Sequence, residues 1–231
     1  MLFRVSPEIF DLFPDYMVGV VVARQIDNTR PVPPEVLEQA CERARSLVGH
    51  APKQHPMVSI WRDAFARAGY NPNRFPPSID ALTGRVAKSG GLPSINPAVD
   101  VINAHSLTHL LPMGAHDIGL LHGDFEVRKS GPVEVFTPMG GGLREAVEQG
   151  EIVYADASEV RTRRWIWRQG DKAKVTSSTL LLFCPIDGFA ATNPQQVVAA
   201  RTSLAQALPR YLGGTTQEFL VDKDHPSVAI A

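Results

Sequence analysis

A chain of 231 residues with 44% hydrophobic and 20% charged residues can bury one large core or two small ones, which excludes a disordered polypeptide. Lys+Arg 23 against Asp+Glu 24 gives a net charge of -1, so there is no global basic field and a nucleic-acid partner would need a local patch. Cys41 and Cys184 are the only cysteines; they exclude a disulfide framework or a cysteine-built zinc site and suit a reducing cytoplasm.

The longest apolar stretch, Leu180 to Ile186 around Pro185, is far short of the roughly 20 residues that a spanning helix needs. Arg4, Glu8, Asp11 and Asp15 interrupt any signal-peptide core, so a cytoplasmic protein, complete from its first residue, is expected. Tyr16 to Ile26 is β-branched and apolar and reads as a buried strand. Pro33-Pro34 opens a helix that Gly49 closes. His55 to Gly69 is a second helix, with Val58, Trp61, Phe65 and Ala68 at helical spacing. Ser78 is the expected N-cap of a third helix, ended by Gly90-Gly91. Asn96-Pro97 starts a fourth, carrying Val99, Ile102, Asn103, Ser106 and Leu107 on adjoining faces.

Beyond it the period changes to that of strands. Phe125 to Val127, Val133 to Phe136, Glu151 to Ala155, Val160 to Arg168 and Lys174 to Phe183 are predicted strands separated by turn residues. Asn193-Pro194 caps a last long helix to about Leu208, and Gln217 to Val221 is a final strand. The expected class is α+β, a single domain over residues 1–231, with helices mainly in the first half packed on a mixed or antiparallel sheet.

Generic motifs say little. Gly140-Gly141-Gly142 lacks the Lys-Ser/Thr of a phosphate loop and reads as a turn. His105 and His109 lie four apart on the fourth helix, but no acidic third ligand is spaced with them, so no metal is expected. There is no GxSxG elbow. Arg161 to Gln169 (RTRRWIWRQ) stands out. As one strand it would place Arg161, Arg163, Trp165 and Trp167 on one face and Arg164, Ile166 and Arg168 on the other. Such a strip could contact phosphates and bases of a nucleic acid. Equally, it could be a solvated strand with the tryptophans in the core and the arginines paired to Asp156 and Glu159.

Leu92 to Asn103 (LPSINPAVDVIN), followed by Leu110 to Asp117 (LLPMGAHD), resembles the tRNA-editing domain of the phenylalanyl-tRNA synthetase beta chain. That family carries a Pro-Ile-Asn, Val-Val-Asp, Asn pattern and then a Pro-containing turn ending in Asp. The strands at Phe125 to Arg128, Glu151 to Asp156 and Thr176 to Phe183 follow in the family's order, and the likeness covers roughly Trp61 to Phe189. The resemblance implies a free-standing editing domain that hydrolyses the ester joining a wrong amino acid to a tRNA 3′ end. No cofactor or metal is implied, nor membrane or DNA. Such a second site is needed because a synthetase pocket separates near-isosteric apolar side chains by only about 1–3 kcal/mol. A positioned water and the substrate's vicinal hydroxyl can complete the chemistry without a covalent nucleophile.

The chain also departs from this pattern. Where the family's turn has a histidine that takes part in editing, Gly114 stands here, and His116 lies two residues later. The family's late-strand acid aligns with the Phe183 region, where the nearest carboxylate is Asp187. Asn103 could hold a water or the substrate's amino group, or cap the next turn; His116 and Asp117 could be a base and its orienting partner, or Asp117 an Asx-turn residue. Arg168, Gln169, Asn96, His105 and Thr176 are candidates for binding the substrate, and Asn103, His116 and Arg168 are expected to converge on one pocket. Asp100 is expected to make a helix-to-loop bond. Two rival readings remain: a non-catalytic tRNA- or RNA-binding module, and a protein that binds small amino-acid-like molecules in the same pocket.

Overall fold

A computed structural model describes residues 1–231. In chain order the elements are β1 (Leu2–Val5), α1 (Pro7–Leu12), β2 (Tyr16–Arg24), α2 (Glu35–Val48), α3 (Pro56–Arg67), α4 (Ser78–Ser89), α5 (Pro97–His109) and β3 (His116–Asp117). Then come β4 (Phe125–Lys129), β5 (Val135–Phe136), β6 (Glu145–Ala146), β7 (Ile152–Ala155), β8 (Val160–Arg163), β9 (Arg168–Gln169), β10 (Leu181–Phe189), α6 (Pro194–Leu212), β11 (Thr215–Val221) and β12 (Ser227–Ala229). The class is α+β, as expected, with five of the six helices before residue 110.

Two sheets form. One has the order β11-β2-β10-β3, all antiparallel, with Tyr16 to Arg24 paired to Phe189 to Leu181 along its length. The other runs β12-β1-β4-β7-β8-β5-β6, with β9 attached to β8 and parallel pairs at β1–β4 and β5–β8. A core with Trp61, Trp165, Phe3, Phe65 and Phe183 binds helices and both sheets together, and a second core lies between α5, α6 and the four-stranded sheet. β2 is buried over nearly its full length, which its unbroken apolar run requires.

Asn96 caps α5 by accepting from Val99 N at 3.1 Å, and Gly90 ends α4 in the left-handed conformation, φ 81°. Ser78 is not a cap but the first residue of α4, since its N–H donates to Ile166 O at 2.9 Å. Asn193 accepts from Phe189 N instead of capping α6. The segment from Lys174 to Leu180 is irregular, and the strand expected to end at Phe183 runs on to Phe189. The strand expected from Val160 to Arg168 is a hairpin. Arg164 and Trp165 both take positive φ (45° and 64°) and turn β8 back into β9.

Helix α6 lies against β2 and β10 where Gly19 and Gly188 leave room. A Cβ at Gly188 would stand 2.2 Å from Val197 Cγ2, so backbone and helix approach as only glycine permits. Gly188→Ala should therefore lower stability by about 1–3 kcal/mol or more through overpacking, read as a lowered urea midpoint. An unchanged midpoint would show that α6 shifts freely.

Candidate functional site

The site is built around the start of α5. Asn28 Oδ1 accepts from Ala98 N at 2.7 Å, while its Nδ2 donates to Asn96 Oδ1 at 3.1 Å and Thr176 O at 2.8 Å. Asn96 Nδ2 donates to Val175 O at 3.2 Å. The pair clamps the helix to the chain at 175–176. Asp100 accepts from Ile95 N at 2.8 Å and from the Ser94 hydroxyl, the helix-to-loop bond expected of it.

At the other end of α5, Leu110 takes the left-handed conformation (φ 52°) and leads into the turn Leu111–Ala115. That turn is stitched to β10: Gly114 N donates to Pro185 O at 3.2 Å, and Asp187 N to Pro112 O at 3.1 Å. Clamp and turn enclose an outer cavity of about 460 Å³. Its apolar lining includes Ile95, Val99, Ile102 and Val175, and its polar groups are Asn103, Gln169 and Lys174. Gln169 is fixed by donation from Nε2 to Ala115 O at 2.7 Å.

A second cavity of about 170 Å³, the inner chamber, shares Met113, Gly114 and Gln169 with the outer one. His116, Tyr154, Trp165, Trp167 and Asp187 wall it. Asp187 is 1% exposed. The hydroxyls of Tyr16 and Tyr154 both donate to its Oδ1, the latter at 2.7 Å, and Trp165 Nε1 donates to the Tyr16 oxygen at 3.1 Å. Burial pushes the Asp187 carboxyl up to about 6, against the pull of the two tyrosines. Tyr16 and Tyr154 escaped the sequence reading as site residues; Asp187 entered it only as the carboxylate nearest the late-strand acid of the family, a single acid inside the apolar run LLFCPIDGF.

His116 is 2% exposed, packs edge-on to Phe125 at 4.8 Å, and has no hydrogen-bond partner at Nδ1. Burial, with help from the Arg161 charge, depresses it to about 3. It is neutral from pH 5 to 8, so it is not a base that switches in that range. Nor is Asp117 its orienting partner: Asp117 accepts from Gly119 N at 2.9 Å and the Thr179 hydroxyl at 2.7 Å, the turn role.

A histidine held neutral makes stability pH-dependent. The unfolded ring binds a proton below about 6.5 while the folded one resists until about 3, so stability falls as pH drops through that window. Asp187, with its raised value, has the opposite slope between about 4 and 6. His116→Phe should accordingly lose less stability than the native chain between pH 7 and 5. Equal losses in urea titrations at both pH values would contradict the sealed neutral ring.

Of the other expected substrate contacts, only Asn103 and Gln169 share the outer cavity, and His116 stands behind them in the inner one. Arg168 lines neither, so the expected three-way convergence is corrected: its guanidinium is paired to Glu145 at 3.3 Å and lies over Phe136. Asn96 is committed to the clamp and His105 to Val101 O at 2.8 Å; the Thr176 hydroxyl faces Ser178 at 2.9 Å.

The Arg/Trp strip is likewise not a surface. Arg161, Arg163, Arg164 and Trp165 are buried, and Trp167 is half-buried against Phe75 at 4.8 Å. Arg161 binds Asp156 at 2.6 Å and Glu159 at 3.2 Å. Arg163 forks onto Glu151 and reaches Glu145 at 2.9 Å. Arg164 reaches Glu148 at 3.3 Å and lies 3.9 Å over the Phe75 ring. The ion-paired alternative holds in part: Trp165 is in the core and Arg161 pairs with Asp156 and Glu159, but the segment is a buried hairpin and not a solvated strand. Arg163 and Arg164 take other acids, and these three arginines have no free fork for a tRNA phosphate.

Residues 60–213, well over half of the chain and including both cavities' walls on α5, the turn and β10, match the B3/4 domain family. The chain belongs to that family. Among solved structures it is similar to an N-terminal fragment of the phenylalanyl-tRNA synthetase beta-subunit from Pyrococcus horikoshii, at TM-score 0.49 and 12% identity, over 94% of this chain and 53% of that one. The chain thus spans about half the length of that structure. No curated protein matches it. A groove of about 410 Å³ between α2 and the segment after α4, lined by Leu37, Cys41 and Leu92 among others, draws most of its wall from Val32 to Arg45, outside the B3/4 match. No helix is long and apolar enough to cross a membrane.

Proposed function

We propose that this B3/4 domain deacylates mischarged aminoacyl-tRNA, acting in trans, with the esterified amino acid in the paired cavities. The observation that carries the reading is the cavity pair itself. It is formed by the α5 start and the Pro-Met-Gly-Ala turn, the two motifs through which the sequence resembles the editing domain, and Asn103, Gln169 and Lys174 stand at its outer level. The apolar walls suit the side chain of an amino acid, and Asn103 and Gln169 can orient the ester carbonyl and an attacking water. With His116 neutral and deep, the proton transfers fall to water and the tRNA's vicinal hydroxyl. Exposed or half-exposed cations in the flanking segments, Arg144, Arg168, Lys172 and Lys174, are the groups available to the terminal phosphates.

The burial of the arginine hairpin removes the main support for a non-catalytic RNA-binding module. It favours as a second reading a binder of small amino-acid-like molecules. A panel of mischarged tRNAs separates the two: release of one amino acid, well above the spontaneous rate, supports the deacylase. Saturable binding of free aminoacyl amides with no hydrolysis of any charged tRNA supports the binder.

A further inference from the structure

We infer that the inner chamber is a subsite for a primary ammonium group, held by Asp187 against the aromatic walls Tyr154, Trp165 and Trp167. Both tyrosine hydroxyls converge on Oδ1 of Asp187, and no hydrogen bond of the protein reaches Oδ2. Asp187 lines the chamber, and no cation of the chain compensates it. A carboxylate in such a place is costly unless protonated or paired. The Trp165–Tyr16–Asp187 relay and the Tyr154 hydroxyl all donate toward it, an arrangement that favours the anion.

What the fold leaves undone is the second oxygen, and a cation completes it. Indole and phenol faces add cation–π attraction. His116, nine-tenths and more buried with Nδ1 unpartnered on the same wall, is a neutral polar neighbour and so does not compete for the anion. The volume is selective too. A cavity of about 150 Å³ holds one benzene ring, so about 170 Å³ admits an ammonium on a short apolar stem and little more.

Two sources share this chemistry: the α-ammonium of an amino acid and the end of a basic side chain. The inference concerns the cavities proposed for the esterified amino acid, but free amines test it without any hydrolysis, so the two readings fail separately.

The probes are L-norleucine amide (α-ammonium only), Nα-acetyl-L-lysine amide (side-chain ammonium only) and Nα-acetyl-L-norleucine amide (neither), titrated calorimetrically at pH 7. One of the two cationic probes should bind, identifying the source, and the neutral one at least tenfold more weakly. Asp187→Asn should weaken the binding about 10- to 100-fold. Because that variant alters a buried network, the native chain supplies an independent readout: affinity should fall from pH 7 to 5 as Asp187 protonates. The groups around it do not mimic this. Tyr16 of β2 and Tyr154 of β7 are held well above their ordinary values, and His116 of β3 stays neutral. Asp117 of β3 is bonded to Thr179, and Arg201 of α6 is turned to Glu218 at 3.0 Å. Equal affinity for the neutral probe, no saturable binding of either cation, or an affinity flat from pH 7 to 5 would overturn the subsite.

Discussion

Arg161→Ala should lower the stability of the chain by about 3–5 kcal/mol, because it strands two acids rather than removing one cation. The guanidinium is 2% exposed and gives Asp156 two hydrogen bonds, at 3.0 and 2.6 Å, and Glu159 one at 3.2 Å. Asp156 also receives His122 N at 2.9 Å and Ser158 N at 2.8 Å, so the turn that ends β7 is tied to the same charge. Without Arg161, Asp156 remains buried with no counter-ion, and Glu159 keeps only the exposed Arg144 at 4.0 Å. The urea midpoint should drop with an unchanged m-value. Arg144→Ala is the comparison, since Arg144 is 66% exposed at its side chain and only 4.0 Å from Glu159; it should cost less than about 1 kcal/mol. Equal effects of the two would mean that the cluster contributes nothing and that the arginine hairpin is free to serve a partner.

That hairpin shows where sequence reasoning stops. RTRRWIWRQ alternates as a strand does, and neither Arg164 nor Trp165 advertises a turn; both nevertheless adopt the positive φ that glycine or asparagine usually supplies. Long-range bonds hold them there, with Glu151 accepting from Arg164 N at 2.9 Å and the Trp165 ring packed on Trp61 and Phe13. No local pattern encodes those partners. The start of α5 was legible for the opposite reason: Asn96 caps it locally and Pro97 fits its first turn. The α+β class followed from the change of period after residue 110. Only half the site could be read. Asn103 and Gln169 sit in recognisable motifs, whereas Asp187 acquires its two tyrosines from β2 and β7, 171 and 33 positions away.

If the domain is the deacylase proposed above, Gly114→Phe should cut its turnover at least about 10²-fold while leaving the fold in place. Gly114 has ordinary φ, and a Cβ there would meet only Pro185 Cγ at 3.5 Å and Cδ at 3.9 Å, ordinary contact distances. The residue lines both cavities, so a ring at this position takes up space at the wall they share. A substrate displaced by even about 1 Å from its reacting water loses on the order of 10²-fold in rate. Deacylation should therefore fall by about that factor or more, with the thermal midpoint close to that of the native chain. Full activity in a well-folded Gly114→Phe would place the reaction elsewhere.

The location of the site is open to direct measurement with a hydrolysis-resistant substrate stand-in, a 3′-aminoacylamino-3′-deoxyadenosine whose amide replaces the ester. Titrated into isotope-labelled protein and followed by amide chemical shifts, it should move Asn103, Gly114, Gln169 and Lys174, the residues around the outer cavity. The shifts should saturate together and vanish in Gly114→Phe. Shifts confined to Leu37, Cys41, Gly90 and Leu92 in the groove beside α2, or none at saturating concentrations, would contradict the assignment of the paired cavities as the place where the aminoacyl end binds.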